Sequence, residues 1–135
     1  MKSLQQLSRR LGIPIAAKRS KYGNTKCEWR GQKFDSKREL ERYLVLRDME
    51  KKDEIRNLVR QPEFKLIVNG ELICKYRSDF AYDEPGEFLS EKGLGSALRG
   101  WHRVIEDSKG FQTKDWAIKF KLAKALFRDL DWRTS

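Results

Sequence analysis

The chain has 135 residues, 39% hydrophobic and 37% charged, enough for a single domain with a real core and too few for two. No apolar run approaches the roughly 20 residues that cross a bilayer. The opening MKSLQQLSRRLGIP lacks the apolar core and small-residue cleavage site of a secretory leader, so a cytoplasmic setting is expected. Two distant cysteines, Cys27 and Cys74, form no CxxC pair and offer too few ligands for a Cys/His zinc site. Both read as reduced thiols. A single histidine, His102, excludes machinery that needs two. Any chemistry must therefore run on carboxylates, lysines and a metal ion.

Thirty Lys and Arg against twenty Asp and Glu give +10. Residues 1–30 hold eight basic groups (Lys2, Arg9, Arg10, Lys18, Arg19, Lys21, Lys26 and Arg30) and one acid, Glu28, so this stretch carries +7 and the remainder +3. A basic arm on a near-balanced body is the electrostatic footprint of a phosphate-backbone binder, because neutralised phosphates release condensed counterions. A solvated tail is the bland alternative. Membrane-surface binding fits less well, since residues 1–24 have no Trp or Phe to insert beside their lysines.

In chain order, Leu4, Leu7 and Leu11 at helical spacing predict a short helix over 3–11, stopped by Gly12 and Pro14. Residues 15–24, AAKRSKYGNT, read as a mobile basic linker, and CEWRGQKF as a small hairpin turning at Arg30-Gly31. A helix from Asp35 or Ser36 to about Lys52 has Leu40, Tyr43, Leu44 and Met49 on its apolar face. Residues 56–68 are β-rich with a break at Gln61-Pro62, and Asn69-Gly70 is a hairpin turn. Residues 71–82 read as one long return strand with Asp79 near its middle. Residues 84–100, with several glycines, read as a loop, and 103–109, RVIEDSK, as the next strand. Thr113 caps a final helix with Trp116, Phe120, Ala123, Phe127 and Leu130 on one stripe. The expected class is α/β, with helices packed on a central mixed sheet.

Strand alternation puts Asp107 and Lys109 on one side and Glu106 and Ser108 on the other. If the two strands are neighbours, Asp79 and Asp107 converge. Such a pair repels, and a divalent cation relieves the repulsion while polarising a phosphate oxygen. Lys109 would point its ammonium at the same phosphate. The bland reading is a cross-strand ion pair. Against it, these charges interrupt apolar segments, where an unpaired carboxylate is costly. Glu39 has two readings: Ser36-Lys37-Arg38-Glu39 is a capping box, or Glu39 supplies a third acidic group. Lys114, Lys121, Lys124 and Arg128 lie opposite the aromatic stripe and read as a solvated face with possible phosphate contact. His102 reads as a loop residue; Arg99, Trp101 and Arg103 offer a stacking clamp.

YGNTKCEWRGQKFDSKRELERYLVL, EIRNLVRQPEFKL, YRSDFAY and VIEDSKGFQT…IKFKLAKALF together resemble small phage and prophage nucleases. These belong to the PD-(D/E)xK, or restriction-endonuclease-like, superfamily, some of whose members are described as Holliday-junction resolvases. The resemblance covers roughly residues 21–83 and 103–128. It implies a restriction-endonuclease-like core spanning 25–135 behind a basic helix or arm over 1–24. By the same resemblance Glu39 is the acidic residue of the first core helix, Ser78-Asp79 fills the PD position with Ser for Pro, and Asp107-Ser108-Lys109 fills (D/E)xK. Asp79, Asp107 and Glu39 would hold Mg²⁺, for which Mn²⁺ substitutes, with the Ser108 carbonyl a possible further ligand. Lys119 matches a recurrent basic position that touches the scissile strand, and Gln61 a recurrent glutamine. The loop 84–100 is longer than the family's turn, and residues 1–20 fall outside the resemblance.

The expected function is a Mg²⁺-dependent DNA endonuclease of phage type, acting on branched DNA as a homodimer in the host cytoplasm. DNA contacts are expected from Arg9, Arg10, Lys18, Arg19, Lys21, Lys119 and Lys121. The rivals are a non-catalytic nucleic-acid-binding module and a nickase or end-cutter of the same fold.

Overall fold

A computed structural model of the chain describes residues 16–19, 25–86, 100–108 and 113–134. The helix expected over 3–11, with Arg9 and Arg10, lies outside the described residues, as do Lys21, Arg99 and Lys109. The chain divides into two compact units, residues 1–48 and 49–135.

In the first unit, β1 (Ala16–Arg19), β2 (Thr25–Trp29) and β3 (Gln32–Phe34) form an antiparallel sheet in that order. The β2–β3 turn is the expected two-residue one: Arg30 and Gly31 take φ of 48° and 77°, the left-handed pair that matches strand twist. The linker expected over 15–24 is corrected at its start. Lys18 and Arg19 are edge-strand residues, Lys18 paired with Lys26 and Arg19 with Thr25, because the β2 edge offers its backbone groups to them. Helix α1 (Lys37–Lys51) begins where Ser36 Oγ accepts the Glu39 N–H at 3.1 Å, which meets one donor of the open first turn. Leu40 and Leu44 join Cys27, Trp29 and Phe34 in a buried cluster, with Tyr43 edge-on to Trp29. Arg30 and Arg47 cover Trp29 at 4.8 and 4.6 Å.

The second unit holds β4 (Arg56–Arg60), β5 (Glu63–Val68), β6 (Glu71–Arg77), β7 (Phe80–Pro85), β8 (Trp101–Asp107), α2 (Lys114–Leu126) and β9 (Asp131–Thr134). Its sheet runs β4-β7-β8-β9, antiparallel except for the parallel β8–β9 pair. Hairpin β5–β6 forms a separate ribbon. The class is therefore mixed α/β, with a central mixed sheet and two helices among the described residues.

Three strand expectations are corrected here. Residues 71–82 are two strands in different sheets, because the chain breaks at Ser78-Asp79. There Ser78 N–H bonds Pro62 O, and Gln61 N–H bonds Asp79 O. His102 is a buried strand residue of β8, not a loop residue, and β7 extends to Pro85. The chain does not end on its helix: Phe127 closes α2, and β9 returns beside β8, with Trp132 opposite Ile105. Trp132, Tyr76, Leu66, Ala81, Ile105 and Ala123 form the core. Alternation puts Ala81 and Ile105 on the face that receives α2 and the ribbon, so Asp79 and Asp107, two residues away on each strand, share that face.

Candidate active site at the Asp79–Asp107 strand ends

Phe80 pairs with Glu106, so one step beyond the pairing Asp79 comes up against Asp107. The two segments are tied twice. Ser108 N–H donates to Asp79 Oδ2 at 2.7 Å, and Ser78 Oγ donates to Glu106 O at 2.8 Å. The expected convergence of Asp79 with Asp107-Ser108 is present, although Asp79 stands at a strand break and not in mid-strand. Asp79 is 9% exposed, Asp107 0% and Ser108 7%. Burying two carboxylates in one place is costly unless both are hydrogen-bonded. Asp107 receives the Trp116 indole N–H at 3.2 Å on Oδ2. Trp116 is delivered there by the cap of α2, where Thr113 Oγ1 accepts the Trp116 N–H at 3.1 Å. Glu106 points to the other face, held by the Tyr82 hydroxyl at 2.8 Å, as alternation predicts.

Gln61 takes φ of 52°, a conformation a non-glycine residue holds only when its surroundings impose it. Its N–H bonds Asp79 O at 2.8 Å, which places Gln61 beside the candidate acid. Glu39 belongs to the first unit. It is 3% exposed and stands seven residues before the buried Leu46, so the two share a buried stripe distinct from Leu40 and Leu44. Lys109 lies outside the described residues. Lys119 is half-buried on α2, whereas Lys114, Lys121, Lys124 and Arg128 are exposed. Of the residues read as a stacking clamp, Arg99 lies outside the described residues, Trp101 packs under Arg56 at 3.9 Å, and Arg103 is bound to Asp83 and to Asn57 O.

Sequence reasoning missed a second polar cluster. Register sets Glu84 opposite His102, and Asp131 lies on the neighbouring β9. Oxygens of both acids and the His102 ring lie within 4.8 Å of one another. Arg133 contacts Glu84 and Asp131, the latter at 2.6 Å, and His102 Nε2 is 3.3 Å from Asp131 Oδ2. Burial opposes the Arg133 charge, but the two carboxylates outweigh it and hold its pKa above the ordinary value. The antiparallel register that brings Asp79 to Asp107 also brings Glu84 to His102, and that was the available signal. Trp116 was missed too, because a stripe residue reads as core. Only the fold turns its indole edge towards Asp107.

The Asp79–Asp107 pair suits a hard divalent cation: carboxylate oxygens on one face, with backbone groups of Ser108 alongside. The Glu84–Asp131 pair shares one cation of the protein's own, Arg133. No helix among the described residues is long and apolar enough to cross a membrane. No curated protein and no solved structure matches the chain. Residues 19–135 match the family described as "Protein of unknown function (DUF1064)", and the chain belongs to that family.

Proposed function

We propose that this protein is a metal-dependent DNA endonuclease of the PD-(D/E)xK type, hydrolysing phosphodiester bonds at the Asp79–Asp107 strand ends. The observation that carries the reading is the Ser108 N–H bond to Asp79 Oδ2 at 2.7 Å, which fixes Asp79 beside Asp107 on one buried face. Two acids from separate chain segments, with Lys109 two residues after the second, are the parts that phosphodiester hydrolysis needs.

Asp79 and Asp107 would hold Mg²⁺ or Mn²⁺, with the Ser108 carbonyl and Glu39 as further ligands in the resemblance. When bound, the cation supplies Lewis-acid polarisation of the phosphate and a more acidic water. The remaining work falls to the chain. Trp116 N–H fixes the Asp107 carboxylate, Ser108 N–H fixes that of Asp79, and the Lys109 ammonium offsets negative charge developing on the phosphate oxygens. Gln61, whose backbone N–H bonds Asp79 O, would orient water.

The basic stretch over residues 1–30 supports a DNA substrate through phosphate contacts. The resemblance favours branched DNA, cut in the host cytoplasm. Symmetric cutting of a four-way junction needs two sites, hence a homodimer.

The test is cleavage of linear, flap, fork and four-way DNA with Mg²⁺. Asp79→Asn and Asp107→Asn should each lower the rate by at least about 100-fold, the upper range for weakening a metal site through its surroundings, with folding kept. A parent chain that nicks no DNA form with Mg²⁺ or Mn²⁺ overturns the reading and leaves a binding module.

A further inference from the structure

A groove of about 430 Å³ opens between ribbon β5–β6 and helix α2. Lys75, Arg77 and Lys119 stand on its walls, with Trp116 and the first turn of α2 at its end. Its two acids, Glu63 and Asp115, are outnumbered, and Glu63 is engaged by Lys75 at 3.6 Å. Among the described residues neither Arg77 nor Lys119 has an ion-pair partner. Trp116 is half-buried and stacks on Phe120 at 5.0 Å and 17°, so an aromatic platform stands beside the cations.

A second observation points the same way. Tyr76 also lines the groove; it is 2% exposed, and its hydroxyl has no hydrogen-bond partner among the described residues. A buried hydroxyl without a partner is unfavourable, and a ligand oxygen or the water it carries would relieve it. Finally, the groove is joined to the candidate acids. Arg77 directly precedes Ser78-Asp79, and the Trp116 indole reaches Asp107.

We propose that this groove binds one unpaired nucleotide of a DNA strand, its phosphate between Arg77 and Lys119 and its base against Trp116. The volume is that of a small-ligand pocket, which admits one nucleotide. A base reaches an aromatic side chain in this way only when it is out of the duplex stack. The proposal rests on the endonuclease reading for its substrate class and sharpens it: the strand next to the cut is single-stranded. Trp116 is then also a positioning residue for Asp107.

The test uses the full chain with Ca²⁺ in place of Mg²⁺. Fluorescence anisotropy follows a labelled oligo-dT strand and a duplex of equal length. Arg77→Ala and Lys119→Ala, on exposed or half-buried stems, should each weaken single-strand binding about fivefold or more, the scale of a lost stacking or phosphate contact. Lys51→Ala, which removes the same charge elsewhere, should change it less than twofold, and duplex binding should change little in all three. Trp116→Phe keeps a ring but removes the N–H. It should keep single-strand binding and slow Mg²⁺-dependent cleavage.

Equal single-strand affinity in the parent, Arg77→Ala and Lys119→Ala overturns the proposal, as does an equal loss in Lys51→Ala. The two readings fail separately. Loss of single-strand binding in the groove variants, with no cleavage by the parent, keeps the groove and removes the nuclease. Cleavage that depends on Asp107 but not on Arg77 or Lys119 keeps the nuclease and removes the groove.

Discussion

The two ends of strands β7 and β8 carry similar side chains and reach opposite outcomes. At one end Asp79 meets Asp107; at the other, about 16 Å along at the rise of a strand, Glu84 meets His102 with Asp131 beside them. The clusters also face opposite sides of the sheet, since Glu84 and His102 alternate with the positions that face α2. Arg133 spans Glu84 and Asp131, so the acids at that end share a cation supplied by the protein. At the Asp79 end the partners include neutral N–H groups, of Ser108 and of the Trp116 indole. Such dipoles fix the direction of a carboxylate. The same register thus gathers acids at both ends of the strand pair and gives them different neighbours.

The largest expected effect breaks the comparison directly. Asp107→Asn should cost at least about 100-fold in Mg²⁺-dependent cleavage. Glu84→Gln, at the other end, should stay within about threefold, since it touches no reacting group. Equal losses would show that both ends serve one site.

Next in size is the response of the ion network. Arg133→Met leaves Glu84 and Asp131 as neighbouring acids with 34% and 16% side-chain exposure. After discounting for solvent screening, the loss of unfolding free energy should be about 1–2 kcal/mol, read from urea denaturation. The smallest prediction concerns the thiols. Cys27 is buried, and burial pushes its thiol pKa up against the opposing pull of Lys37. Cys74 is half-buried on the ribbon. Because the thiolate is the reactive form, Cys74 should alkylate first at pH 8, measured by mass spectrometry. Faster labelling of Cys27 would mean that the first unit opens readily.

How far the chain could be read depended on the range of the forces involved. Turns at Arg30-Gly31 and Asn69-Gly70, the Thr113 cap and the break at Gln61 are set by neighbours a few residues apart, and all are legible. The Ser78-Asp79 break was not, because 71–82 reads as continuous β. Only bonds to Pro62, Gln61 and Glu106 divide it. Strand β9 was invisible for a related reason: DWRT has no strand pattern of its own, and the edge of β8 recruits it.

The amino-acid order alone determined the alternation that puts Asp79 and Asp107 on a common face once their strands are neighbours. It also determined the cationic balance and the polar positions inside apolar runs, because these depend on side-chain period and composition. Tertiary structure decided which strands became neighbours, that Trp116 would reach Asp107, and that Arg133 would close the opposite end. Those outcomes depend on contacts between residues 9 to 49 positions apart, where local preference carries no information and only packing of the whole sheet selects a partner.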